Sequence, residues 1–331
     1  VMMIPEGLVL LTSTVLAVSV IRLSKVKVLV QELYCIETLA RVDTLCLDKT
    51  GTLTEGVMEV YDCIKKDDIN IEEVLSSFSM NLVHNNTLEA INKKYGDKGV
   101  SASKKEEFSS NKKFSMINYN NHDYFLGAPE ILFPGINVSE YSDYRVLALG
   151  FKEENEKKLK LGALILLQDK IRNKAKETLE YFKSQGVDVK IISGDSTETL
   201  VKIAQRLDID INGYVDMSKV SVIDDEIIKN TIFGRVSPFQ KKELVERMKL
   251  NGHTVAMTGD GVNDVLALKE ADCSIAIANG SDAAKAVSRL VLLDSNFDSI
   301  PNIVYEGRRT INNITRSATL FLSKTGYAIL F

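Results

Sequence analysis

The 331-residue chain has no tryptophan, three histidines, five prolines and four cysteines. Cys35, Cys46, Cys63 and Cys273 form no CxxC or CxC pair and have no histidine at ligand spacing. That excludes a disulfide frame and a thiolate metal site, and leaves reduced, mostly buried thiols in a cytosolic compartment. Neither sign of charge dominates: 41 basic against 45 acidic residues give a net −4. A dedicated nucleic-acid binder carries a basic excess on one face, so no nucleic-acid partner is expected. Internal repeats and low-complexity stretches are also lacking. With 45% hydrophobic and 26% charged residues, a wholly disordered chain is excluded. The length suits about two domains at ~150 residues each.

Charge is missing locally too. Residues 1–21 carry one charged side chain, Glu6, and are followed by Arg22, Lys25 and Lys27. Such a run matches the ~20 residues that cross a bilayer core. Residues 317–331 are apolar apart from Lys324 and follow Arg308, Arg309 and Arg316. Basic inner flanks place residues 22–316 on the cytoplasmic side. The first run lacks a basic n-region and does not read as a signal peptide. The expectation is a piece of a larger multi-pass protein of the cell membrane, with the lipid bilayer as one partner.

Between the runs, residues 25–39 read as a helical stalk. Residues 57–168 are rich in Asn, Lys and Ser, with short strands at 114–119 and 124–126 and a Gly-Ala-Pro turn at 127–129. From residue 161, apolar strand runs (161–167, 187–193, 254–257, 274–278, 290–293) alternate with helical patterns (174–184, 196–206, 241–249, 264–270). That alternation predicts an α/β fold with a doubly wound parallel sheet, whose ligands gather at the carboxyl ends of the strands.

A further short apolar run, residues 44–47, ends at Asp48, and three acidic loops follow three of the runs: Asp48-Lys49-Thr50-Gly51-Thr52, Ser193-Gly194-Asp195, and Thr258-Gly259-Asp260-Gly261-Val262-Asn263-Asp264. In a parallel sheet they converge on one edge. Glycine amides and hydroxyls there suit phosphoryl oxygens, and carboxylates suit Mg²⁺. Asp48 is the candidate nucleophile. Lys241, at the start of a helix, would neutralise charge on the transferred oxygens.

Residues 48–54 together with 258–264 resemble a P-type ATPase, a cation pump of the haloacid-dehalogenase superfamily. The resemblance includes the bacterial branch described as cation-transporting ATPase E, which is similar to calcium pumps. It runs from Ile4-Pro5-Glu6-Gly7-Leu8 to the last apolar run. It implies a membrane helix at 1–21 and a stalk with the first part of a phosphorylation domain at 22–56. A smaller α+β nucleotide-binding domain at 57–168 interrupts that domain, whose second part and stalk occupy 169–316. A further membrane helix starts at 317–331. ATP and Mg²⁺ are the implied cofactors, and the implied catalytic set is Asp48, Lys49, Thr50, Thr52, Lys241, Asn263 and Asp264. Asp48, Asp260 and the Thr50 carbonyl match the Mg²⁺ ligands. Nucleotide contacts are implied for Ser193, Gly194, Asp195, Arg235 and Lys241, with Asp169 and Arg172 in the hinge. In the insertion Phe108, Lys113, Gly127 and Arg145 match nucleotide contacts, and Leu126 replaces the lysine usual before Gly-Ala-Pro-Glu.

Soluble members of the superfamily carry a second aspartate two residues after the nucleophile as general acid and base. Thr50 stands there and cannot activate water in that way. In the pumps the base comes from a Thr-Gly-Glu loop in an actuator domain, and no Thr-Gly-Glu occurs in these residues. Self-phosphorylation with slow dephosphorylation is therefore expected. The actuator domain and the other membrane helices would be partners from the same protein. Pro5 and Gly7 predict an opening of the first helix at residues 4–7. Carbonyls of Val1, Met2 and Ile4 would then join the Glu6 carboxylate around a transported cation, Ca²⁺ being favoured. Two rivals compete with this reading: a membrane-tethered phosphatase of the same superfamily, and a silent nucleotide-binding module.

Overall fold

The computed structural model describes residues 6–96, 98–142, 144–153, 156, 158–294 and 297–330 and, at 6, 324, 325 and 328–330, the backbone alone. The chain divides into two units. One comprises Val1–Thr54 with Ile171–Phe331, the other Glu55–Lys170.

The first unit begins with α1 (Glu6–Lys25), β1 (Val28–Val30), α2 (Cys35–Ala40) and β2 (Thr44–Leu47). The second unit holds β3 (Thr54–Lys65), α3 (Ile71–Asn81), α4 (Asn86–Tyr95), β4 (Lys104–Glu106), β5 (Phe114–Tyr119) and β6 (His122–Gly127). It continues through α5 (Pro129–Leu132), β7 (Arg145–Glu153) and β8 (Lys160–Ile171). The chain then returns to the first unit with α6 (Ala175–Ser184), β9 (Asp188–Ile192), α7 (Thr197–Arg206), β10 (Tyr214–Asp216), β11 (Ile232–Gly234) and α8 (Pro238–Leu250). It closes with β12 (Val255–Gly259), α9 (Val265–Glu270), β13 (Cys273–Ile277), α10 (Asp282–Val287), β14 (Leu290–Leu292) and α11 (Ile300–Leu330).

The first unit is a doubly wound sheet in the order β1-β14-β13-β12-β2-β9-β11-β10, parallel throughout except for β1 against β14. β2, β12 and β13 are buried along their whole length, as a parallel sheet covered on both faces requires. Side chains alternate between two cores. Leu45, Leu47, Ile191 and Ile275 pack on the face covered by α6, α7 and α11, while Cys46, Ile192, Val255 and Met257 pack against α8 and α9. The second unit is a six-stranded sheet, β3-β8-β7-β6-β5-β4. Leu75, Phe78, Leu88 and Ile91 of α3 and α4 pack against Ile117, Leu126, Leu149 and Ile165.

Two expectations at the amino end need correction. Residues 25–39 are not a continuous helical stalk. Lys27 adopts φ 61°, which ends α1, and the apolar run 28–30, with β-branched Val28 and Val30, pairs with Leu290–Leu292 as an edge strand. The helix opening expected at residues 4–7 does not reach Glu6 and Gly7, which already belong to α1. Gly7 instead permits close packing, since a Cβ there would lie 3.3 Å from the Phe321 ring of α11. Val1, Met2, Ile4 and the side chains of Glu6 and Lys324 lie outside the described residues. Residues Gly7–Lys25 are long and apolar enough to cross a membrane by length and composition.

Candidate active site

Register sets the site. Leu47 at the end of β2 stands opposite Thr258 of β12 and Ile191 of β9. Asp48, Asp260 and Ser193 therefore leave the sheet within two residues of one row, at its carboxyl edge. The turn after β2 is held by its own backbone. Asp48 Oδ1 accepts the Lys49 N–H at 2.8 Å, and Gly51 takes φ 71°. A Cβ on Gly51 would fall 1.9 Å from Asp260 Oδ2, so only glycine lets this loop approach that carboxylate. Arg172 staples the loop, its Nη2 and Nε donating to the Gly51 carbonyl at 2.6 and 3.2 Å.

Lys241 lies in the first turn of α8, which starts at Pro238 under a Ser237–Gln240 capping box. It is buried, with Nζ 2.5 Å from Asp264 Oδ1 and 3.3 Å from Asp48 Oδ1. Asp264 Oδ2 also accepts the Gly261 N–H at 3.0 Å. Burial pushes the Asp48 carboxyl up from 3.8 to about 7; Lys241 opposes that rise and Asp264 adds to it. Burial and the Asp264 charge also raise Asp260. Burial lowers Lys241, but Asp48 and Asp264 outweigh it, so the ammonium is held charged.

Ligand atoms of Asp48, Asp260 and Asp264 lie within 4.8 Å of one another, a hard-oxygen set suited to a divalent cation. Two buried hydroxyls of the same loops, Thr52 Oγ1 and Thr258 Oγ1, have no hydrogen-bond partner among the described residues. Phosphoryl oxygens would satisfy such donors. The residues present therefore fit Mg²⁺ together with a phosphoryl group.

Asp195 forms an ion pair with Lys49, its N–H meets Ser193 Oγ at 3.4 Å, and Gly194 lies between them. Arg235 (φ 52°) donates its N–H to the Asp195 carbonyl at 2.7 Å, while its guanidinium pairs with Asp216 at 3.3 Å. Asn263 is exposed in the turn before α9, and Thr50 is exposed in the β2 loop. Asp169 belongs to β8 of the other unit. Sequence reasoning missed a fourth loop at this edge: Ser281 N–H donates to the Asp260 carbonyl at 2.7 Å, and a Cβ on Gly280 would stand 2.7 Å from that oxygen. Its signal was Gly280-Ser281 between an apolar strand and a short helix, the pattern of the other three loops.

In the second unit a cleft of about 320 Å³ is lined by Phe108, Leu126, Gly127, Arg145 and Leu147 together with Asn85, Asn86 and Thr87 at the start of α4. Phe108 is 49% exposed, so its ring is open to a stacking partner. A Cβ on Gly127 would meet Phe114 at 2.4 Å. Lys113 is not in the lining. At φ 57° it makes the turn, and its carbonyl accepts the Ala128 N–H at 3.0 Å.

Known proteins of similar sequence and fold agree with this geometry. Residues 42–272 match the model of the haloacid dehalogenase-like hydrolases. The chain is 44% identical over 352 residues to the probable cation-transporting ATPase exp7 of Streptococcus pneumoniae, covering 99% of this chain and 45% of that protein. It is 41% identical over 348 residues to the calcium-transporting ATPase CtpE of Mycolicibacterium smegmatis, covering 99% and 44%. The chain thus spans less than half the length of these relatives. A zinc-transporting PIB-type ATPase in the E2.Pi state superposes with a TM-score of 0.81 at 20% identity, over 98% of this chain and 51% of that one, which speaks to fold alone. With a matched model across most of its length and a carboxylate cluster at the carboxyl edge of a doubly wound sheet, the chain belongs to the haloacid dehalogenase-like hydrolases.

Proposed function

We propose that the chain is the phosphorylating and nucleotide-binding portion of an ATP-driven, cation-transporting P-type ATPase. The observation that carries the reading is Lys241, held between Asp48 and Asp264 beside Asp260. In the reaction an Asp48 carboxylate oxygen attacks the γ-phosphorus of ATP, the bond to the β,γ-bridging oxygen breaks, and ADP leaves. Lys241 neutralises charge on the transferred oxygens, and the Thr52 and Thr258 hydroxyls donate to them. Asp48, Asp260 and the Thr50 carbonyl would hold Mg²⁺, which supplies Lewis-acid neutralisation of the phosphates. Arg172 positions the Asp48 loop through Gly51. In the other unit Phe108 would stack on the base, with Arg145 on the phosphates. With Thr50 where an acid–base carboxylate would stand, the aspartyl phosphate persists until a base arrives from elsewhere in the protein. The bilayer is entered through residues 7–25, and the transported ion is a hard cation, Ca²⁺ by analogy with CtpE.

The test is incubation with γ-labelled ATP and Mg²⁺, acid quench, and hydroxylamine treatment of the labelled protein. Label that is hydroxylamine-sensitive and absent from Asp48→Asn supports the reading. Rapid multiple turnover to free phosphate without stable label sinks it in favour of a phosphatase.

A further inference from the structure

Glu306 is a buried carboxylate that the chemistry above does not use. It is 6% exposed on α11, where that helix packs on α1. Its Oε1 accepts from Ser19 Oγ and from Arg22 Nη1, each at 3.1 Å, and Arg309 stands 3.8 Å from Oε2. Ser19 and Thr310, each 1% exposed, lie 2.5 Å apart through their hydroxyls, and Thr310 Oγ1 also lies 2.8 Å from the Glu306 carbonyl. Two hydroxyl hydrogens thus serve three contacts, so the network has more than one proton arrangement. Leu16 and Leu23 of the same apolar helix are buried in the adjoining core.

The next residue of α11 is where α2 arrives. A Cβ on Gly307 would lie 2.5 Å from the Ile36 carbonyl and 3.3 Å from the Ala40 Cβ, so α2 rests on the α11 backbone there. Three residues separate α2 from β2, and β2 ends immediately before Asp48. One turn of α11 therefore touches both the helix fit to cross a membrane and the element that leads into the nucleophile.

From this juxtaposition we propose that Glu306, with Ser19, Arg22 and Thr310, is a positioning cluster that locks α1 to α11 and carries the state of Asp48 to the apolar helix. The inference rests on the phosphoryl-transfer reading of the site. Its physical basis is the cost of mismatch. A buried ionic and hydroxyl network adds little net stability but fixes the register of the elements it joins. Sliding α1 by one residue would strip the carboxylate of its donors inside the helix interface, and buried unpaired charge is expensive. α1 consequently follows α11 and α2 as one body.

Hydrogen–deuterium exchange on the full-length protein in lipid nanodiscs, with and without Mg²⁺ plus fluoroberyllate as a mimic of phosphorylated Asp48, reads both ends. In the parent, peptides covering 48–54 and 258–264 gain protection. Those covering 16–25 change exchange rate by about 5–150-fold, the range of an allosteric coupling. In Glu306→Gln the site peptides respond as before and the response at 16–25 is lost. Ser19→Ala, which removes one hydroxyl, weakens the response at 16–25 and decides the matter if Glu306→Gln does not fold. Equal responses at 16–25 in parent and variants overturn the proposal. So does a parent whose site responds while 16–25 does not. A parent whose site peptides ignore fluoroberyllate refutes the phosphoryl-transfer reading, and the proposal falls with it.

Discussion

Replacing Asp48 by asparagine should stabilise the metal-free protein while abolishing its phosphorylation. Three carboxylates share one buried ammonium in this site, and Asp48 is 8% exposed. Burial, reinforced by Asp264 and opposed by Lys241, raises its pKa from 3.8 to about 7. A carboxyl whose folded pKa lies above its unfolded value binds more protons when folded, so its contribution to stability falls as pH rises from about 4 through about 7. At ~1.4 kcal/mol per pH unit the penalty above pH 7 is at most about 4 kcal/mol. The Lys241 charge is divided between Asp48 and Asp264, so a gain on the order of 2 kcal/mol is expected for the isosteric amide. The assay is urea unfolding in detergent with EDTA, at pH 8 and again at pH 4. Asp48→Asn should be the more stable protein at pH 8, with the gap closing toward pH 4 and narrowing when Mg²⁺ binds the parent. A variant less stable than the parent at pH 8, or a gap that does not vary with pH, refutes the electrostatic account of this cluster.

Lys241→Met should lower the rate of label incorporation by about 10²–10³-fold, as loss of a donor to the transferred oxygens does, measured by rapid acid quench. Gly51→Ala should weaken Mg²⁺ dependence of labelling strongly, because its Cβ would displace Asp260 and the φ of 71° is strained for alanine; an unchanged Mg²⁺ titration contradicts the close approach. Phe108→Ala should weaken binding of a non-hydrolysable ATP analogue by about 5–150-fold, the worth of one aromatic–base stack. Calorimetry reads it, with no change expected in the hydroxylamine sensitivity of residual label.

The sheet and its edge were legible because buried parallel strands are short continuous apolar runs, and an acidic glycine loop after each one marks the same end. Thr44–Leu47 with Asp48, and Val255–Gly259 with Asp260, are such cases. The second unit was less legible. Its Asn-rich composition reads as loop, yet Asn70 and Asn85 are helix N-caps, Asn85 Oδ1 accepting from Thr87 and Leu88 at 3.1 and 3.0 Å. β3 was missed because it is an edge strand with only Thr54 and Val60 fully buried, and its acidic residues mask the alternation. The amino-terminal stalk was misread because a three-residue edge strand carries too few residues for any period to show. Arg172 on the Gly51 carbonyl and Ser281 on the Asp260 carbonyl are contacts to backbone, which no side-chain motif encodes.

The central claim, that Asp48 itself takes and keeps the phosphoryl group, is tested most directly by borohydride reduction of the labelled protein followed by peptide mass spectrometry. An aspartyl phosphate reduces to homoserine, so the account predicts homoserine at position 48 and nowhere else in the chain. Homoserine at another aspartate, or none while phosphate is released steadily, contradicts it.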